Sequence, residues 1–115
     1  MEHFKPIQNA VSTPWKKQIS SEQLAQIKTD YWPEQMEDKW MVISEEQHGK
    51  TLVHFGRSWT GIDVYILTIR DTTDGAEIES LTWNAGGDDL PTSDEAEAKD
   101  MVVGLSKGLL GVELS

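Results

Sequence analysis

The stretch TLVHFGRSWTGIDVYILTIR, residues 51–70, decides the fold. Two runs rich in β-branched and aromatic residues, Thr51-Leu52-Val53-His54-Phe55 and Gly61 to Arg70, flank a short loop. Runs of this composition and length read as strands. In the longer run Ile62, Val64, Ile66 and Thr68 fall on one face. Asp63, Tyr65, Leu67 and Ile69 fall on the other, the period of two that a strand imposes. The connection is too short for a crossover helix, so the two strands are antiparallel.

The same period extends both ways. Upstream, Trp40-Met41-Val42-Ile43-Ser44 reads as a strand joined by the polar tip Glu45 to Lys50. Downstream, Asp71 to Gly75 is a turn and Ala76 to Trp83 a fourth strand, followed by a loop from Asn84 to Asp89. Helical signals flank this block. Ser20 and Gln23 form a capping box, Leu24, Ile27 and Tyr31 share one helical face, and Pro33 is a stop. That places a helix near 21–31. Thr92 and Glu95 form a second box, with Asp94, Glu95 and Glu97 where the helix dipole favours anions. Ala98, Met101 or Val102, Leu105 and Leu109 then make an apolar stripe, predicting a helix near 93–110 that ends at Gly111. Gly104 and Gly108 each cost about 1 kcal/mol relative to Ala in a helix, which predicts a close approach of that helix to the sheet. Residues 1–19, with Pro6 and Pro14 around Trp15, read as an irregular segment, and Trp15, Trp32 and Trp83 as packing residues. The expected fold is one two-layer α+β domain over residues 1–115. A four-stranded antiparallel meander within 38–84 would be covered on one face by an N-terminal and a C-terminal helix.

Composition narrows the class. A chain of 115 residues buries enough apolar surface to fold as one domain, and without cysteine it has neither disulfides nor thiolate metal sites. No stretch reaches the apolar length of a secretory signal (about 7–15 residues) or a membrane helix (about 20), which predicts a cytoplasmic protein. The formal charge of −10 is unevenly placed. Residues 1–70 carry nine acidic and eight basic side chains, whereas 71–115 carry eleven acidic ones against Lys99 and Lys107. Such a surface repels phosphate backbones, which argues against direct nucleic-acid binding. It is either a solvated, solubility-promoting face or a surface that docks on a basic partner or mimics nucleic acid.

Few residues suggest catalysis. His3, His48 and His54 have no second ligand at a metal-binding spacing, so neither metal nor cofactor is expected. No serine sits in a nucleophile elbow, and Gly86-Gly87-Asp88-Asp89 lacks the lysine of a phosphate loop. His48 belongs to a hairpin tip, and His54 lies within a strand. The loop Gly56-Arg57-Ser58-Trp59-Thr60-Gly61 differs from all of these. Arg57 offers a planar fork of donors for phosphate or carboxylate. Trp59 offers a π surface for a base. Ser58, Thr60 and the glycines let small donors approach an anion. Trp40 and Tyr65, on neighbouring strands, would extend the aromatic wall. The alternative is a plain hairpin in which Arg57 pairs with a local carboxylate and Trp59 caps the core.

Glu37-Asp38-Lys39-Trp40, then His54-Phe55-Gly56-Arg57-Ser58-Trp59-Thr60-Gly61, then Val64-Tyr65, resemble a small bacterial domain found with ADP-ribosylglycohydrolases and macrodomain proteins. Its members read approximately acidic–Lys–Trp, aromatic–His–Arg–Ser–Trp–Thr–Gly and aliphatic–Tyr. Here Gly56 stands where they have His, and the histidine falls at His54. The likeness spans residues 31–110 and includes the C-terminal helix. It implies an ADP-ribose or NAD-related context without glycohydrolase activity, which belongs to the companion domain and its metal-binding acids.

The expectation is a non-enzymatic binding module, or sequestering protein, for an adenine-nucleotide or ADP-ribose-like ligand, suited to bacterium–phage conflict. Its ligand-binding residues would be Arg57, Ser58, Trp59, Thr60, Gly61, Trp40, Tyr65 and His54. The competing expectation is an acidic inhibitor or immunity protein that docks on a basic protein. Homo-oligomerisation stays open.

Overall fold

The computed structural model describes residues 10–32, 39–58, 61, 63–73, 75–84 and 95–114. The chain order is β1 (Ala10–Ile19), α1 (Ser21–Ile27), β2 (Trp40–Gln47), β3 (Lys50–Arg57), β4 (Asp63–Thr72), β5 (Gly75–Asn84) and α2 (Glu95–Leu105), the last running into a π-helical turn at Ser106–Leu110. The strands form one antiparallel sheet in the order β1-β5-β4-β3-β2.

This overturns the expected four-stranded meander between terminal helices. The sheet has five strands, because residues 10–19, read as irregular, pair with β5 along its length from Ala10↔Asn84 to Ile19↔Ala76. Pro14 and the Lys16-Lys17 pair break the hydrophobic alternation that marks a strand. Both features suit an edge, where a missing N–H faces outward and charge discourages further pairing. A register shift between Pro14 and Lys17, with Lys16 in the left-handed region at φ 55°, absorbs one extra residue. Four successive antiparallel pairings leave β1 and β2 parallel at opposite edges, so the chain crosses the sheet through α1 between them.

The helix α1 starts as its sequence specifies. The Gln23 amide donates to Ser20 Oγ at 3.0 Å, and the Ser20 amide to Gln23 Oε1 at 2.8 Å. It stops at Ile27, earlier than expected. Asp30 turns the chain at φ 63°, its carboxylate accepts the Ser44 amide at 2.9 Å, and Tyr31 exchanges two backbone hydrogen bonds with Val42. The outer edge of β2 is thereby partly covered. Glutamines of α1 hold the C-terminal tail, Gln23 Nε2 donating to the Glu113 carbonyl and Gln26 Nε2 to that of Leu110.

One face of the sheet carries the core. Val42, Val53, Phe55, Tyr65, Leu67, Ile69, Ile78, Leu81 and Trp83 bury against Ile27, Ala98, Val102, Leu110, Val112 and Leu114. Full burial of such side chains contributes about 1.5–3 kcal/mol each. Trp15 packs on the edge of this core, whereas Trp32, expected to pack, is 49 % exposed. The β2–β3 hairpin turns on His48 and Gly49, both at positive φ, the geometry a two-residue turn needs to match strand twist. Gly104 and Gly108 do not mark a close approach. Both are exposed, with open space where a Cβ would lie. Gly111 ends the helical segment in the left-handed conformation at φ 70°. The expected Thr92 cap and the loop after Asn84 fall outside the described residues.

Ser106, at the start of the π-helical turn, is fully buried, and its Oγ has no hydrogen-bond partner among the described residues. An unsatisfied hydroxyl costs stability, and Ala is the better helix former. Ser106→Ala should therefore raise unfolding free energy by about 1 kcal/mol, read from urea denaturation. A loss of stability would show that the hydroxyl is satisfied in solution.

Candidate functional site

Strand register divides the expected site residues between the two faces of the sheet. Trp40 lies opposite Arg57 in the β2–β3 ladder and Tyr65 opposite Phe55 in the β3–β4 ladder, so all three point to the helix-covered face. They meet there. The Arg57 guanidinium lies over the Trp40 ring, 4.7 Å from its centroid, and Trp40 stacks on Tyr65 with centroids 6.0 Å apart and planes 22° from parallel. A cation over an indole is held by the ring quadrupole, typically by about 0.5–2 kcal/mol. Trp40 and Arg57 are half-buried, while Tyr65 is fully buried. Tyr65 therefore belongs to the core beneath the site rather than to its accessible wall.

Backbone bonds hold Ser58 and Gly61. The Ser58 amide donates to the Lys39 carbonyl at 3.0 Å, tying the loop to the start of β2. The Gly61 amide donates to the Arg57 carbonyl at 2.9 Å, with Gly61 at φ 71°. Trp59 and Thr60 lie outside the described residues. Arg57 differs from the chain's other arginine. Arg70 Nε is held by Glu77 at 3.0 Å and lies 3.6 Å from Glu79, whereas Arg57 meets no carboxylate among the described residues. The plain-hairpin alternative, in which Arg57 pairs with a local acid, lacks that acid among them.

His54 is not part of this group. Three residues before Arg57 on an unbroken ladder, it points to the opposite face. There it joins a cluster invisible to motif reading. His54 Nδ1 and Asp63 Oδ2 are hydrogen-bonded at 2.7 Å, and His54 Nε2 lies 3.4 Å from Glu45 Oε2. His54 and Asp63 are 5 % and 4 % exposed. Period-two alternation places Asp63 with Tyr65, on the other face. The register shift between Phe55 and Gly56 sets Asp63 opposite Gly56 and turns its carboxylate to His54. Asn84 Nδ2 donates to the Asp63 carbonyl at 3.3 Å. The two acids bracket the ring from either side rather than converging on one point, and no metal-binding cluster occurs among the described residues. Apart from the placement of His54 and Asp63 at matching distances from the loop, nothing in the sequence signals this set.

Burial pushes the Asp63 carboxyl above its ordinary 3.8, and the Glu45 charge adds to this. The hydrogen bond and charge of His54 oppose it. A carboxyl whose folded pKa is raised binds its proton more tightly folded than unfolded. Its contribution to stability is complete below 3.8 and is lost as pH rises through the folded value. Asp63→Asn removes that term. In urea titrations, wild type should lose stability relative to Asp63→Asn as pH rises over the acidic interval above 3.8. A wild type that gains over this interval would show the carboxylate to be the favoured buried form.

No family model matches this chain, no curated protein is found similar to it in sequence, and no solved structure is found similar to it in fold.

Proposed function

We propose that the protein binds, without turning it over, a phosphate-bearing nucleotide of the adenine-nucleotide or ADP-ribose class at the end of the sheet formed by Trp40 and the Arg57–Gly61 turn. One observation carries this reading: a half-buried arginine, aligned on an indole, meets no acid among the described residues. A guanidinium pre-oriented in this way loses little entropy on binding an oxyanion, and a forked pair of charge-assisted hydrogen bonds is the contact it is built to make. Ser58 and Gly61 supply small groups beside it. Trp59, beyond the described residues, would supply the base stack, and Thr60 a further hydroxyl. His54, on the opposite face, drops out of the contact set, and Tyr65 supports Trp40 from below. Such a protein would act by sequestering its ligand, as in conflicts where nucleotide signals are made and countered.

The acidic half supports docking on a basic protein less well than its charge count suggests. Glu79 pairs with Lys50 at 2.8 Å and Glu77 with Arg70 at 3.0 Å, so part of that charge is neutralised within the sheet. Native mass spectrometry of purified protein, followed by chromatography of what it releases, tests the proposal. An intact co-purified or added adenine nucleotide is expected, unchanged after incubation. Repeated conversion of that nucleotide by pure protein, abolished by Arg57→Ala, would replace the binding module with an enzyme.

A further inference from the structure

The two arginines of the chain are held in different ways. Arg70 is oriented by acids, its Nε donating to Glu77 Oε1 at 3.0 Å and lying 3.6 Å from Glu79 Oε1. Arg57 is oriented by an aromatic ring, with its guanidinium carbon 4.7 Å from the centroid of Trp40. The difference matters chemically. A carboxylate fixes an arginine by consuming its N–H donors and its charge, whereas an indole attracts the cation through its π face and leaves the charge unneutralised. We propose that Trp40 is a positioning residue of the site: it acts on the ligand only through Arg57, by holding the guanidinium over its ring with donors left for an oxyanion. Its effect on affinity rests on the binding reading above, while its hold on Arg57 is a property of the free protein.

Trp40 can hold Arg57 because it is itself anchored. Its ring stacks on Tyr65, with centroids 6.0 Å apart and planes 22° from parallel, and Tyr65 is fully buried. Aromatic pairs of this kind restrain each other beyond the area they bury. Trp40 also packs on the core cluster from the edge strand β2. The backbone beneath is fixed as well. Trp40 and Arg57 are partners at one end of the β2–β3 ladder, and the Ser58 amide extends the pairing by donating to the Lys39 carbonyl at 3.0 Å. Residues directly opposed on one sheet face lie close enough for their side chains to meet. Order therefore passes from the core through Tyr65 and Trp40 to an arginine at the end of the sheet.

The consequence is entropic. An unrestrained arginine gives up rotamer freedom when it binds a phosphate. One already held over a ring has lost that freedom on folding, so the phosphate meets a fork that needs no further ordering. The ring of Trp40 is engaged by both Arg57 and Tyr65, so it is not a platform for a base. Lysine at position 57 would keep the charge yet lose the planar fork and the delocalised cation that suits an aromatic face.

Two measurements test this, the first without ligand. With only Arg57 and Arg70 in the chain, an NMR spectrum of arginine Nε–Hε groups holds two signals, and Arg57→Lys assigns them. In wild type the Arg57 signal should be shifted upfield by the indole ring current and show restricted motion in its nitrogen relaxation. Both marks should vanish in Trp40→Leu and persist in part in Trp40→Phe. The second measurement is calorimetric titration with ADP and with ADP-ribose. Trp40→Leu should weaken binding by roughly three- to tenfold, the effect of having to order a freed arginine, and Trp40→Phe should restore part of that loss. Added to Arg57→Ala, Trp40→Leu should weaken binding by less than about twofold further, a coupling that general loosening of the fold does not produce. A wild-type Arg57 signal that is unshifted and as mobile as a free side chain overturns the inference, whether or not the Trp40 variants fold. So does an equal loss from Trp40→Leu with and without Arg57, which would mean that Trp40 touches the ligand itself. Wild type that binds neither nucleotide overturns the binding reading instead, and the arginine spectrum still decides whether Trp40 holds Arg57.

Discussion

Gly75→Ala is expected to destabilise the protein by about 3 kcal/mol or more, enough to threaten folding of a domain with ordinary marginal stability. Gly75 opens β5 at φ 153°, directly under the junction of β1 and α1. A Cβ there would stand 2.5 Å from the Ile19 carbonyl oxygen and 3.1 Å from the Ser21 amide nitrogen. Both are backbone atoms held in place, the first beside the β1–β5 pairing Ile19↔Ala76 and the second next to the Ser20 cap. No side-chain rotation relieves the clash. The chain must either give up the last β1 pairs or shift the start of α1, and α1 in turn holds the C-terminal tail through Gln23 and Gln26. Urea denaturation checks this. A midpoint within experimental error of wild type would show that β1 does not end against the β4–β5 turn.

Legibility in the sequence differed sharply between elements. The strands from β2 to β5 declare themselves because their apolar alternation is long and their turns carry His48-Gly49 or Gly75. The start of α1 declares itself through Ser20 and Gln23. The first strand does not, because at an edge β1 tolerates Pro14, Lys16 and Lys17, residues that argue against a central strand. The end of α1 was unreadable for a related reason, since Asp30 and Tyr31 are recruited by Ser44 and Val42, distant in sequence. Gly104 and Gly108 mislead because helix propensity is a weak prior where a position faces solvent. Within the site, Trp40, Arg57 and Tyr65 were brought together as their spacing implies. His54 was not, because one residue's difference in parity sends a strand side chain to the opposite face. Its partnership with Asp63 depends on a one-residue register shift that no local pattern encodes.

Arg57→Ala carries the second large effect. Losing a charge-assisted contact to phosphate removes about 1.5–3 kcal/mol, or roughly a 10- to 200-fold rise in Kd. Two features make this variant informative. Arg57 is half-buried at a strand end, and among the described residues its removal leaves no buried carboxylate orphaned. The loss of the guanidinium over Trp40 costs about 0.5–2 kcal/mol of stability, which the unfolding midpoint reports independently. Trp59→Ala should weaken binding by a further 1–3 kcal/mol or so where a base stacks on it. Substitution of Glu95 and Glu97 on the exposed first turn of α2 should leave affinity unchanged. An acidic docking protein would show the reverse pattern, with association slowed and its salt dependence flattened by the α2 substitutions while Arg57→Ala had little effect.

The most direct measurement is an isothermal calorimetric titration of wild type and Arg57→Ala with AMP, ADP, NAD and ADP-ribose at low salt, each protein first shown to unfold cooperatively. The account predicts saturable, one-site binding of at least one of these to wild type and a loss of at least about tenfold in affinity in Arg57→Ala. Absence of binding to wild type at about 1 mM ligand, or equal affinity in the two proteins, would contradict it.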